Sequence, residues 1–301
     1  MIAPRRTILS RLSTFAAGAA LIGLATAAGA ATVAPQTDAK VGTPPATPAA
    51  KELRICASNA EAPFSEKDNS GFEDRIALAL AQAMGRKPVF VRTEQAGIYL
   101  VRDQLDKNNC DVVMGVDVGD ERVLATKPYY RTGYVLVTKA DRNITATAWD
   151  DQQIKDQSRF AVRFYSPAET MLKRIGRFED NAAYMYSLVN FKSRRNQWTQ
   201  VPGDRIVTEV ASGEADVGIA FAPEVARYVK QSPTALRMTV ISNDLDRPND
   251  TPIPMHYDQA IGVRKADTAL RDELNAALDT ARPQIEAILV EEGIPLLKPN
   301  S

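Results

Sequence analysis

The sequence predicts an α/β fold, with mixed, mainly parallel sheets covered by helices. Two observations carry that prediction. Short apolar, β-rich runs alternate with segments whose apolar residues recur at helical spacing, an order that calls for helical crossovers between parallel strands. The stretch from Cys110 to Lys139, CDVVMGVDVGDERVLATKPYYRTGYVLVTK, reads as a buried strand, a polar loop and a second strand in close succession.

Met1 to Ala30 reads as an export signal. Arg5, Arg6 and Arg11 form the charged start, Leu12 to Ala28 the apolar core, and Ala28-Gly29-Ala30 the small-residue cleavage site. A membrane anchor needs about twenty strongly apolar residues, and this core is rich in Ala and Gly instead. The expected location is therefore the periplasm. Ala31 to Ala50, with Pro35, Pro44, Pro45 and Pro48, has little to bury and reads as a flexible leader.

Glu52 to Ala57 is the first strand, and Ser58 to Ser70 a polar loop holding Pro63-Phe64. Helix Glu73–Met84 aligns Ile76, Leu80 and Met84 and stops at Gly85. Pro88 to Val91 is a strand, Tyr99 to Asn108 a helix and Asp111 to Val116 a buried strand. The loop Asp117 to Glu121 then leads to Arg122, just past the strand's carboxyl end, where open α/β sheets hold their ligands. Gly133 to Thr138 is the next strand.

The second block opens with strand Arg159–Arg163. Ser166 caps a helix through Ile175, with Pro167 at its first position and Glu169 three residues after the serine. Helix Arg205–Ser212, strand Val217–Phe221, helix Pro223–Lys230 and strand Arg237–Ile241 follow. A loop rich in proline and aspartate, Ser242 to Pro254, leads to strand Gln259–Val263. The helical segment Thr268–Glu291 closes the chain, interrupted at Pro283.

A chain of 301 residues builds one large domain or two medium ones. Basic and acidic residues number 37 each; removing Arg5, Arg6 and Arg11 with the signal leaves 34 against 37, a net −3. That balance excludes wholesale binding to nucleic acid or anionic membrane. The single histidine, His256, stands far in sequence from any Ser or Cys candidate, which leaves a Ser-His-Asp triad without support. With no metal triad, phosphate loop or dinucleotide fingerprint, the reading assigns no catalytic residue, no metal and no cofactor. Glu73-Asp74 and Asp150-Asp151 read as solvated charges at helix starts.

Asn181 to Gln200, NAAYMYSLVNFKSRRNQWTQ, holds no acid. Tyr184, Tyr186, Phe191 and Trp198 are interleaved there with Lys192, Arg194 and Arg195, the composition of interface anchors. The two readings are a strand followed by a solvated basic turn, and a docking site for an acidic protein.

The ordered run of strand, loop with Asp-Glu-Arg, Pro128-Tyr129-Tyr130 and Gly-Tyr-Val-Leu-Val resembles the type II periplasmic solute-binding proteins. The resemblance implies two lobes, 51–138 with 259–301 and 139–258, the chain crossing between them twice. In amino-acid-binding members, small hydroxyl residues before the arginine help it hold the ligand carboxylate, and an Asp after a second-lobe strand takes the amine. Here Asp117 and Gly119 stand before Arg122, Phe221 replaces that Asp, and the helix start that usually offers Gly and Thr donors reads Tyr165-Ser166-Pro167. These departures predict a cleft that does not hold a free amino acid in the usual manner. An anionic Asp117 would pair with Arg122; a structural ion pair of Arg122 with Asp117, Asp120 or Glu121 is the plainer account. Phe64, Tyr129, Tyr165 and Phe221 either line an apolar groove or simply pack.

The stretches RICASNAEAPFSEKDNSGFEDRIALALAQAMGRKP, FYSPAETML, YMYSLVNFKSRRNQW and QAIGVRKADTALRDELNAAL resemble one branch of that fold, the MoxJ (MxaJ) family of the periplasmic methanol-oxidation system. A lanthanide-linked sister branch, XoxJ, typically carries Asn-Leu-Pro-Phe where this chain has Ala62-Pro63-Phe64. The resemblance covers the chain from Leu53 on. It implies a non-enzymatic accessory protein for the quinoprotein methanol dehydrogenase, itself holding neither PQQ nor calcium. A solute receptor for an ABC importer is the competing function. Cys56 and Cys110 fall on strands that are neighbours in this fold. In an oxidising compartment they form a pair, the alternative being two buried free thiols.

Overall fold

The computed structural model describes residues 51–189, 200–243 and 251–298. The expected signal and leader lie outside the described residues, as do Phe191, Lys192, Arg194, Arg195 and Trp198.

Strand β1 (Glu52–Ser58), helix α1 (Phe72–Ala83), β2 (Lys87–Thr93) and β3 (Val112–Asp117) form the opening unit. β1 pairs parallel with both β2 and β3, as alternation of strand and helix requires. The helix expected over 99–108 is not regular. A 3₁₀ turn, Gly97–Tyr99, is followed by one wide turn, Val101–Leu105, in which the Asp106 amide reaches Val101 O at 2.9 Å. Asn108, at φ 58°, ends the segment before enough residues accumulate to offset helix nucleation.

After the short β4 (Leu124–Ala125), β5 runs from Tyr130 to Lys139, longer at both ends than its apolar run. Its first four residues pair antiparallel with β9 (His256–Val263). From Tyr134 onward it lies between β7 (Val217–Phe221) and β8 (Leu236–Val240). With β6 (Phe160–Val162) parallel to β7, the strands form the order β2-β1-β3-β9-β5-β7-β6. The sheet is mixed: pairing is antiparallel wherever β5 or β9 takes part and parallel at β1–β2, β1–β3 and β6–β7.

α2 (Gln152–Lys155) is capped by Asp151, whose side chain accepts from the Gln153 amide. α3 (Pro167–Arg174) starts as its sequence predicts, with Ser166 Oγ accepting from the Glu169 amide at 3.3 Å. The strand reading of the segment beginning at Asn181 is corrected: α4 (Phe178–Ser187) is a helix whose Asn181 and Met185, four residues apart, are both buried. Asn181 holds β6 like a neighbouring strand. Its Oδ1 accepts from the Phe160 amide at 3.0 Å and its Nδ2 donates to Phe160 O at 2.7 Å. Asn181→Ala would strip a buried donor and a buried acceptor of their partners. It should cost about 2 kcal/mol, read as a lower urea midpoint at unchanged slope.

α5 (Gly203–Ser212) and α6 (Ala222–Gln231) cross closely, since a Cβ on Gly203 would stand 1.9 Å from Glu224 O. α7 (Thr268–Glu292) is continuous, which corrects the expected break at Pro283. Ala281 and Ile285, on either side of the proline, are buried, and their burial offsets the lost hydrogen bond. α1 and α7 pack Phe72, Ile76 and Leu80 against Leu274, Leu278 and Ile285. Trp149, Phe160, Met171 and Met185 form a second core, and Val135, Ile206, Val210 and Val225 a third. Arg227 on α6 bridges these parts, pairing with Glu292 at 2.7 Å and Glu66 at 2.5 Å.

Candidate functional site

A cavity of about 270 Å³ opens at the carboxyl ends of β1 and β3. Ser58 and Asp117 end those strands at its rim, the first turn of α1 contributes Glu73 and Asp74, and Arg163, just past β6, and Glu224 on α6 complete the lining. Phe64, Ile98 and Met114 supply apolar wall. Phe64 follows a cis Ala62–Pro63 bond, and its ring packs on Phe72 with centroids 5.1 Å apart. A larger cavity of about 740 Å³ adjoins it, sharing Glu61, Phe64, Arg163 and Glu224.

Arg122 does not pair with Asp117. Its Nη2 lies 2.6 Å and its Nε 3.0 Å from the oxygens of Asp120, whose Oδ1 also accepts the Arg122 amide at 2.9 Å. A two-residue turn brings Asp120 to the guanidinium without any tertiary contact, so it outcompetes Asp117. The hydrogen bonds from Arg122 hold the Asp120 carboxyl below the usual carboxylate range. Asp117 instead accepts from Gln259 Nε2 at 2.5 Å. Burial raises its carboxyl, the charge on Asp120 adds to that, and the Gln259 bond opposes it.

Glu73 and Asp74 are not solvated helix-start charges; they are 4% and 2% exposed. Asp74 accepts from Ser65 Oγ and the Glu66 amide, both at 2.8 Å, and pairs with Arg92 at 3.1 Å. Among the described residues Glu73 has no cationic partner in hydrogen-bond contact. Tyr129 Oη donates to its Oε2 at 2.5 Å and Tyr130 Oη to its Oε1 at 3.3 Å, while Tyr129 Oη accepts from the Gly115 amide at 3.0 Å. Gly115 sits at φ 65°, where a Cβ would come within 3.2 Å of Glu73 Oε1. Burial pushes the Glu73 carboxyl up to about 7, against the tyrosine hydrogen bonds, which favour the ionised form. Sequence reasoning missed Glu73 because its partners lie 56 and 57 residues downstream. The pair Tyr129-Tyr130 ahead of a strand was the one available signal.

Of the residues expected around the cleft, Phe64, Asp117 and Arg122 line the smaller cavity. Tyr129 is buried beneath it on Glu73. Tyr165, Ser166 and Phe221 line neither cavity. Tyr165, at φ 58°, is 80% exposed; Ser166 serves as the α3 cap; Phe221 packs with Tyr134 and Tyr257, each ring 5.8 Å away. Among the expected partner-binding residues, Tyr184 donates to Glu209 Oε2 at 2.8 Å, and Tyr186 is exposed with its ring 4.8 Å from Phe164. His256 Nε2 lies 2.8 Å from Ile241 O, and burial depresses its titration. The Cys56–Cys110 disulfide is formed, with Cα atoms 5.4 Å apart. Among the described residues no acidic, His or Cys cluster suits a metal, and no helix is long and apolar enough to cross a membrane.

A mixed α/β sheet with a cavity at the carboxyl ends of its strands is the architecture of a ligand-binding α/β protein. The chain belongs to the bacterial extracellular solute-binding proteins, family 3, whose pattern matches residues 53–288. Within that family it groups with MoxJ. It is 53% identical to Protein MoxJ of Methylorubrum extorquens over 252 residues, 84% of each chain. It is 49% identical to Protein MoxJ of Paracoccus denitrificans over 253 residues, 84% of this chain and 92% of that one. The crystal structure of MxaJ from Methlophaga aminisulfidivorans is similar at 44% identity and a TM-score of 0.78, covering 81% of this chain and 100% of that one. The periplasmic binding protein XoxJ from Methylobacterium extorquens is similar at 25% identity and a TM-score of 0.62, over 82% of this chain and 100% of that one.

Proposed function

We propose that this chain is a non-enzymatic periplasmic accessory protein of methanol oxidation. In this reading it assists the assembly, maturation or activation of the quinoprotein (PQQ) methanol dehydrogenase. The observation that carries the reading is identity of about half to two MoxJ proteins over 84% of the chain. The state of Arg122 supports it: a guanidinium held by Asp120 is not free to clamp a ligand carboxylate. Two lobes, 51–138 with 259–301 and 139–258, would then be a scaffold, with Tyr184, Tyr186, Phe191, Lys192, Arg194, Arg195 and Trp198 as the surface for the acidic partner. The cavity itself favours the second reading, a receptor for an importer.

Purification from the periplasm separates the two. The accessory role predicts co-purification with the dehydrogenase and inactive enzyme in a deletion strain. It also predicts loss of association when Lys192, Arg194 and Arg195 are all changed to Glu. Unchanged association of that triple variant removes the basic surface from the reading. A retained small molecule that raises the melting temperature, with normal dehydrogenase in the deletion strain, favours the receptor.

A further inference from the structure

Helix α6 turns one side toward the opening unit and the end of α7. Glu224, Arg227 and Lys230 follow one another at spacings of three, which sets them along that side. Glu224 lines both cavities. One turn on, Arg227 commits its guanidinium to groups outside α6. Nε lies 2.7 Å and Nη2 2.9 Å from the two oxygens of Glu292, Nη1 2.5 Å from Glu66 Oε1, and Nη2 3.2 Å from Ser70 O. Lys230 Nζ donates to Glu291 O at 2.6 Å, and Ala226, 1% exposed, enters the core built by α1 and α7.

The groups that receive Arg227 are held independently of α6. Asp74 accepts from Ser65 Oγ and the Glu66 amide, and Glu292 also pairs with Arg75 at 3.2 Å. The loop that carries Glu66 also gives the smaller cavity Glu61, Phe64 and Ser65. Arg227 therefore ties α6 to the very loop that walls the cavity Glu224 lines. The Arg227 and Glu292 side chains are 18% and 6% exposed, and their contact is a two-pronged charged hydrogen bond that salt screens little. A receptor with hinged lobes makes its closing contacts around a captured ligand. Here each of these contacts is made by the chain itself.

We propose that α6 is a ligand-independent latch: through Arg227 it holds the second lobe against the first, across the smaller cavity, in the protein on its own. Such a latch suppresses the hinge opening by which a receptor exchanges solute. The inference rests on the division into lobes 51–138 with 259–301 and 139–258, and not on the dehydrogenase role.

The test is small-angle X-ray scattering on the mature chain, freed of any ligand by unfolding in guanidinium chloride with the disulfide intact and refolding. The unaltered protein should scatter as one compact particle whose profile agrees with the structure. Arg227→Ala should raise the radius of gyration by about 1 Å as the lobes part. Arg227→Met, which keeps the packing of the side chain and removes every donor, provides a second variant with the same expected direction. Thermal melting followed by circular dichroism identifies the variants that fold. An expanded profile for the ligand-free unaltered protein overturns the proposal whether or not the variants fold. So does an unchanged radius in a folded Arg227 variant. The dehydrogenase role fails or stands separately, because it is read from co-purification and the deletion strain.

Discussion

Removing the Cys56–Cys110 cross-link should lower the unfolding free energy by about 4 kcal/mol through loop-closure entropy alone. The bond closes a loop of 54 residues that contains α1, β2 and the wide turn. Cys56 lies on β1 opposite Val113, and Cys110 stands two residues before β3 begins, so the disulfide ties β1 to the entry of a strand with which it already pairs. Both sulfurs sit among Leu105, Val101, Val113 and Val116, with exposures of 3% and 0%. Serine replacements would therefore add buried hydroxyls to the loss of the bond. The double variant Cys56→Ala/Cys110→Ala avoids that, and reduction of the unaltered protein avoids any change of side chain. Both should lower the melting temperature by roughly 10 °C, at about 2–4 °C per kcal/mol for a chain of this size. Agreement between them, with a loss near 4 kcal/mol, assigns the effect to the cross-link. A reduced protein that melts within 2 °C of the oxidised one would show that strand pairing already restricts the unfolded loop.

Where local chemistry decides structure, the sequence is readable. Ser166, Pro167 and Glu169 start α3 because each satisfies or removes an orphan amide of the first turn, and all three lie within four residues. In the opening unit β1 is an apolar run buried on both faces and β2 a half-buried edge strand, and the parallel pairing follows from the crossovers between them. β9 pairs antiparallel with β3 and β5, segments more than 120 residues away, which no local pattern encodes. Pro283 shows the reverse error, a strong local signal overruled by burial on the far side of α7. At the site, Arg122 was legible as a charge at a strand end, and its partner lay within the proposed set of Asp117, Asp120 and Glu121. Glu73 was not legible. A glutamate in the first turn of a helix ordinarily favours the dipole from solvent, and only the arrival of β5 with Tyr129 and Tyr130 removes it from water.

Glu73→Gln should stabilise the protein above neutrality and leave it nearly unchanged in acid. The carboxyl titrates near 4.5 when unfolded and about 7 when folded, so between those values the folded state holds a proton that the unfolded state has lost. Stability therefore falls as pH rises through that window and is level above it. The ionised, buried form costs on the order of 3 kcal/mol at pH 8 relative to pH 4. Glutamine cannot ionise, and its carboxamide oxygen still accepts from Tyr129. Urea unfolding at pH 8 should find the variant more stable by about 2–3 kcal/mol, the difference shrinking below about 1 kcal/mol at pH 5. Other titrating groups, Asp117 and Asp111 among them, act equally on both proteins and cancel in the comparison. Parallel pH profiles would mean that Glu73 is hydrated in solution and that its contacts with the tyrosines are loose.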